Sequence, residues 1–300
     1  MEPSGVLTVN KSEGMTSHDV VNRIRRLYNT KRVGHTGTLD PMATGVLVVL
    51  VGRAAKAAEY LTADTKAYRA TLRLGITTDT EDVTGKTLTT SDTLPSESEV
   101  TEATKKFVGD IMQTPPMYSA LKVGGKKLYE LAREGVEIER EARQITVHSL
   151  GCTPTEQTSD YILDVSCSSG TYIRTLCADI GAALGCGGAM ATLCRTRAGE
   201  FDISGAHTLD KIEAMNETEP LSLLMPTESL FSALPQIRLP AFYEKLSRSG
   251  CEIYQNKIKT SLEIGQRVRM CSADGKFYAL GEVKEYENGS AVKSIKLFDL

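Results

Sequence analysis

"VGHTGTLDPMATGVLVVLVG", residues 33–52, sets one carboxylate, Asp40, among glycines and threonines and follows it with six consecutive aliphatic side chains. That run, residues 46–51, is too short to cross a membrane and reads as a buried strand. Pro41 biases Asp40 toward extended backbone and so fixes the direction in which its carboxylate emerges. Gly34, Gly37 and Gly45 let the chain bend or approach a ligand closely, while Thr36, Thr38 and Thr44 offer hydroxyls for local bonds. Taken alone, the stretch is compatible with an ordinary Asp-Pro turn, a catalytic carboxylate on a rigid loop, or a phosphate cradle.

Neither a G-x-x-x-x-G-K-[ST] sequence nor a G-x-G-x-x-G fingerprint is present, so nucleotide-phosphate readings start weak. "DPMATG", residues 40–45, resembles the D-x-D-x-T loop of aspartyl-phosphate hydrolases, but Met42 stands where the second, magnesium-holding Asp belongs. A thioether is a poor ligand for a hard cation. The apolar run also follows the aspartate, where that family's strand would precede it.

Upstream, an apolar strand (5–9) turns through Lys11 to Gly14 and enters a helix capped by Thr16 or Ser17. Val20, Val21, Ile24 and Leu27 form its apolar stripe, and Arg23, Arg25 and Arg26 leave by other faces. Downstream, "RAAKAAEYL" predicts a helix, and "KAYRATLRLG" a strand in which Ala67, Arg69, Thr71 and Arg73 alternate with Tyr68, Ala70, Leu72 and Leu74. A turn-rich acidic connection (77–88) leads to a helix over 98–108. The stretch 114–135 then carries Lys122, Lys126 and Lys127 on a Gly124-Gly125 loop, suited either to closing on a ligand or to linking into a helix at 127–133. Two more strands precede a helix whose first turn holds Arg174, and a further strand follows it. Past 210 the periodicity breaks at prolines; a domain boundary is expected at 235–240, with a small β-rich barrel beyond.

The 300 residues and 32.6 kDa suffice for a large domain plus a small one. With 41% hydrophobic and 24% charged residues, disordered and fibrous classes are excluded. No basic-apolar-small leader is visible, so a cytoplasmic protein is expected. Seven cysteines without a C-x-x-C pair, and four scattered histidines, argue against disulfides and metal sites. The net charge of -3 carries no global nucleic-acid footprint, yet residues 11–35 hold six basic against two acidic side chains. Such a local patch can focus a polyanion onto one surface.

"GHTGTLDPMATGVL" resembles the catalytic motif of the bacterial tRNA pseudouridine synthase B family, which modifies the T-arm. The likeness extends through "GVLTVNKSEGMTS", "KAYRATLRLGITTDTEDVTG", "PPMYSALKVGGKKLYELAREG", "GTYIRTLCADIG" and "LCRTRAGEF", about residues 5 to 202 in order, and more loosely into the tail. It implies an α/β (α+β) fold, a mixed and mostly antiparallel central sheet flanked by helices, over 1–235. A small PUA-like RNA-contacting barrel is implied over 236–300.

Residue by residue, Asp40 matches the essential aspartate, Tyr68 the tyrosine stacked on the target base, and Arg174 the arginine paired with the carboxylate. Leu193 matches an apolar wall of the uracil pocket, Lys11 a pocket lysine, and His35 the histidine that helps extrude the base. The implied reaction is isomerisation of uridine 55 in the tRNA T-loop, with no cofactor and no metal. Arg23, Arg25, Arg26, Lys31 and Lys126 would contact phosphates. The expected partner is the tRNA T-arm, bound by a monomer without an obligate protein partner. The alternative is a noncatalytic RNA-binding or tRNA-folding protein on the same scaffold. In the tail, Lys257, Lys259, Arg267 and Arg269 are diluted by acids, and its removal is expected to weaken tRNA binding more than chemistry.

Overall fold

The computed structural model describes residues 3–61, 65–119, 121–219 and 221–299; the side chains of Lys122 and Lys127 lie outside that description. The aliphatic run forms the strand Thr44–Val51. Successive side chains of a strand point to opposite faces, so this one run feeds two cores. Leu47, Val49 and Val51 join Leu7, Val9, Val20, Ile24 and Leu72 in one. Val46, Val48 and Leu50 join Val6, Ala54, Ala57, Phe231, Leu280 and Phe298 in the other.

Around it lies a nine-stranded sheet whose main path runs Gly5–Lys11, Thr44–Val51, Gly188–Ala198, Lys66–Leu74, Asp160–Cys167, Arg143–Pro154 and Gly109–Gln113. Two short strands, Val33–His35 and Phe201–Asp202, pair at its flanks. Among the described strands of this sheet every pairing is antiparallel except that of 188–198 with 44–51, where Cys194 faces Thr44 and Arg195 faces Gly45. This is the mixed, mostly antiparallel α/β architecture expected. Strand 66–74 alternates as its sequence dictates: Tyr68, Ala70, Leu72 and Leu74 are buried. On its wet face Arg69 and Arg73 bond Asp164 at 2.8 Å and Asp160 at 2.9 Å.

Helix Ser17–Leu27 starts from a capping box in which Thr16, not Ser17, is the cap and Asp19 closes the reciprocal bond. The helix expected at 98–108 spans Glu97–Lys105. Its end unwinds because Phe107 and Val108 donate to carbonyls three residues back, a tighter turn that feeds the strand Gly109–Gln113. The alanine-rich segment is a 3-10 helix, Gly52–Tyr60, in which Ala54 and Ala57 are fully buried. Side chains three apart eclipse in that geometry, so both alanines press the same core.

A second, five-stranded sheet is ordered Gln236–Arg238, Arg267–Cys271, Phe277–Tyr286, Gly289–Leu297 and Ile253–Tyr254. Ile237, Val268, Met270, Tyr278, Val283 and Val292 fill its interior. It meets the large sheet through Phe231, Phe277 and Phe298, whose rings lie 5.5 to 5.9 Å apart. Tyr60 adds a contact under the Arg267 guanidinium at 5.5 Å. Among the described residues no helix is long and apolar enough to cross a membrane.

Candidate active site

Asp40 sits at the tip of the loop between strands 33–35 and 44–51, and that loop is tied down from three directions. Ala43 N–H donates to the Asp40 carbonyl at 3.1 Å, which closes the turn. Lys11, with no exposed surface, donates from Nζ to the carbonyls of Ser12 at 2.9 Å, Met15 at 2.7 Å and Pro41 at 3.2 Å. Arg195, 1% exposed, donates to the carbonyls of Val46 at 2.7 Å, Gly37 at 3.0 Å and Thr38 at 3.4 Å. Gly45 is required where strand 188–198 runs alongside: its φ is +97°, and a Cβ there would meet the Arg195 carbonyl at 2.3 Å.

Arg174 lies in the first turn of helix Ile173–Ala183, just past the end of strand 160–167. Its Nε is 3.0 Å from Asp40 Oδ2. The other two nitrogens donate to the carbonyls of Thr80 at 3.0 Å and Tyr118 at 2.7 Å. One guanidinium therefore joins the 36–43 loop, the acidic 79–84 turn and the start of the 114–135 stretch. Asp82, also buried, stands 3.8 Å from Arg174 Nη1 and accepts bonds from the Thr84 N–H and the Thr80 and Thr84 hydroxyls. Thr175 bonds Glu81 at 2.5 Å, and burial pushes the Glu81 carboxyl up.

Tyr68 pairs across the sheet with Arg195 and is 8% exposed. Burial pushes its phenol up, so it stays protonated at neutral pH. Leu193, opposite Ala70 in the ladder, has its carbonyl 3.4 Å from the Thr44 hydroxyl. His35 is half-buried on the strand leading to the loop; burial, then the nearby Arg195, lowers its pKa and keeps the imidazole neutral at pH 7. Its Nδ1 is buried without a hydrogen-bond partner. Burial also pulls the Lys11 ammonium down to about 8, against the opposing pull of Asp40.

The fold thus gathers Asp40, Arg174, Tyr68, Leu193, Lys11 and His35 around one loop, and it treats the basic residues differently. Arg23 is bidentate to Glu213 at 2.5 and 2.7 Å and bonds Asp210 at 2.7 Å, so its charge is neutralised within the fold. Arg25 bonds Asn22 and the Val33 carbonyl. Arg26 and Lys31 are exposed, and Lys126, on the hairpin Lys122–Val123/Lys126–Lys127, lies 3.4 Å from Glu134. Sequence reasoning passed over Arg195 and Asp82. A charged residue inside an apolar strand was the signal for the first, an Asp flanked by threonines at a turn for the second. Among the described residues no group of three His, Cys, Asp or Glu side chains could hold a metal ion.

Residues 25–173 match the family model for the TruB family pseudouridylate synthase N-terminal domain, and residues 174–232 that of the tRNA pseudouridylate synthase B C-terminal domain. The chain is 42% identical over 297 residues to tRNA pseudouridine synthase B of Alkaliphilus oremlandii, covering 98% of each chain. It is 41% identical over 295 residues to the protein of that name from Clostridium kluyveri, covering 98% of this chain and 99% of the relative. Among solved structures, a chain in the crystal structure of a Cbf5-Nop10-Gar1 complex superposes with a TM-score of 0.77 at 26% identity, covering 98% of this chain and 84% of that one. With the two family models abutting between Ile173 and Arg174 and relatives alike along almost the whole length, the chain belongs to the TruB family of pseudouridylate synthases.

Proposed function

We propose that the protein converts uridine 55 in the T-loop of tRNA to pseudouridine, acting as a monomer in the cytoplasm on the T-arm, without a cofactor or an obligate protein partner. The observation that carries this reading is the Asp40–Arg174 pair, with the arginine sealed and the aspartate half-open, in a chain whose relatives are named tRNA pseudouridine synthase B. The isomerisation breaks the N1–C1′ bond, turns the uracil in its pocket and joins C5 to C1′. C5 loses a proton and N1 gains one, so no oxidant, reductant or group donor enters.

Asp40 supplies the reacting oxygen, which attacks C6 of the uracil, attacks C1′ of the ribose, or removes the C2′ proton on a glycal route. Arg174 aims that oxygen, because its own orientation is fixed by two backbone carbonyls. Tyr68 offers an apolar face for the base, and its protonated phenol suits stacking better than proton abstraction. Leu193 walls the pocket. Extruding the uridine costs a few kcal/mol, least where pairing is weak, and the neutral His35 ring fills the vacated stack. Phosphate contact falls to the exposed Arg26, Lys31 and Lys126, the last paired only with the exposed Glu134 at 3.4 Å, rather than to Arg23, which two carboxylates hold at 2.5 and 2.7 Å.

The test is tritium release from tRNA carrying uridine labelled at C5. Release is expected from wild-type tRNA and is expected to vanish when U55 is replaced by cytidine. Tight binding of the T-arm without any release would overturn the reading in favour of a noncatalytic tRNA-binding protein.

A further inference from the structure

Two buried side chains, distant in sequence, make the same kind of contact on opposite sides of the Asp40–Arg174 pair. Ser17, the first residue of helix 17–27, is 3% exposed. Its hydroxyl accepts the Leu39 N–H at 2.8 Å and donates to the Leu39 carbonyl at 3.1 Å. Gln113, the last residue of strand 109–113, is 2% exposed. Its Oε1 accepts the Tyr172 N–H at 2.8 Å, and its Nε2 donates to the Tyr172 carbonyl at 3.0 Å.

Leu39 immediately precedes Asp40, and Tyr172 is the N-cap of the helix that carries Arg174. The Tyr172 side chain makes no capping bond of its own, and Gln113 holds both backbone groups of this cap residue. A hydroxyl or carboxamide that satisfies both polar groups of one residue fixes its peptide planes, as a ladder partner would. Each donates one bond and accepts one: Ser17 through its single hydroxyl, Gln113 through the two ends of its amide. Ser17 is itself held by the Thr16–Asp19 capping box.

We infer that Ser17 and Gln113 are positioning residues whose paired bonds to Leu39 and Tyr172 align the Asp40 carboxylate with the Arg174 guanidinium for the reaction. The inference rests on the proposed function, in which Asp40 reacts. The distance at stake is small. A reacting group must be held within about 0.5 Å of its productive place, and each latch restrains backbone one or two residues from the group it serves.

The test uses the full-length protein in four variants, Ser17→Ala, Ser17→Thr, Gln113→Leu and Gln113→Glu, with two readouts. One is the single-turnover rate of pseudouridine formation at saturating enzyme, measured beside tRNA affinity; the other is the NMR signal and proton exchange of the Arg174 Nε–H. Ser17→Ala and Gln113→Leu are expected to slow the reaction about 10- to 100-fold while tRNA affinity stays within about two-fold. Ser17→Thr keeps the hydroxyl and restores most of the rate; Gln113→Glu keeps the acceptor, loses the donor and falls between. The combined Ser17→Ala/Gln113→Leu loss is smaller than the product of the single losses, because both latches serve one ion pair. In the slow variants the Arg174 Nε–H shifts and exchanges faster.

Variants that melt earlier but react at the wild-type rate with an unmoved Arg174 signal would reduce both residues to packing and overturn the inference. Should Gln113→Leu not fold, Gln113→Glu and the serine variants decide by the same readouts. A wild-type protein that forms no pseudouridine would strike down the proposed function instead, and the Arg174 signal alone would then judge whether the latches align the pair.

Discussion

Arg174 Nε stands 3.0 Å from Asp40 Oδ2, yet the arginine side chain is 6% exposed and the aspartate side chain 38%. The pair is one-sided: a guanidinium locked into the fold presents a carboxylate that still faces outward. A ligand entering from the open side would meet Asp40 first.

Replacing Asp40 with Asn preserves shape and removes the reacting charge. Tritium release is expected to fall by at least about 1,000-fold while tRNA binding persists. Single-turnover kinetics beside filter binding check this, and a wild-type rate in the Asp40→Asn variant would contradict the assignment of Asp40.

Lysine at position 174 keeps the charge and loses the fork. It cannot reach Asp40, the Thr80 carbonyl and the Tyr118 carbonyl together, so Arg174→Lys is expected to react about 100-fold more slowly. Retention of the wild-type rate would mean that charge without direction is sufficient.

Lys11 gives a pH signature. Burial draws its pKa down to about 8, with the Asp40 charge partly opposing. Between about 8 and the ordinary lysine value, the unfolded chain holds a proton that the folded chain has released, so stability from this group rises with pH there, by up to about 3 kcal/mol. Below about 8 the burial penalty is felt in full. A neutral amine, however, has two protons for three carbonyls, so the anchor of the Asp40 loop weakens as pH passes about 8. The Lys11 13Cε resonance should titrate near 8, and the stability of wild type relative to Lys11→Met should rise between that pH and the ordinary lysine value while the wild-type rate falls. A resonance that titrates at the ordinary lysine value would refute the prediction.

Phe298, 5% exposed and in ring contact with Phe231 and Phe277, closes the second core against strand 44–51. Phe298→Ala is expected to cost about 3–5 kcal/mol of stability, read from denaturant unfolding. Beside the expected effect of the tail on tRNA binding, this packing gives it a structural part, because it completes the core behind the Asp40 loop. A loss below about 1 kcal/mol would show the two sheets to be independently stable.

Elements with a strict period were legible from sequence. The run 46–51, the alternation of 66–74 and the stripe of helix 17–27 each obey the geometry they adopt. Asp40 and Arg174 were legible as residue types held by recognisable motifs. Contacts between a side chain and a distant backbone were not: Ser17, Gln113 and Arg195 bond carbonyls or N–H groups remote in the chain, and nothing periodic marks such bonds. The partners of Arg23 are hidden for a related reason. That arginine resembled a solvated cation available to phosphate until the helix Leu209–Thr218 brought Asp210 and Glu213 against it. The 3-10 geometry of 52–60 was hidden because alanine is the strongest α-helix former, so nothing in the composition of this segment points to the tighter turn that buries Ala54 and Ala57.

Strand 44–51 is a wall shared by two rooms. Anyone wishing to cut the larger sheet free as a portable RNA-modifying unit would strip Leu280 and Phe298 from Val46, Val48 and Leu50. What remains is an uncharged run of six aliphatic residues, four of them β-branched valines, the composition that drives chains to stack into aggregates. A usable minimal version would have to carry the second sheet along, or recolour that one stripe with polar side chains while leaving Leu47, Val49 and Val51 untouched.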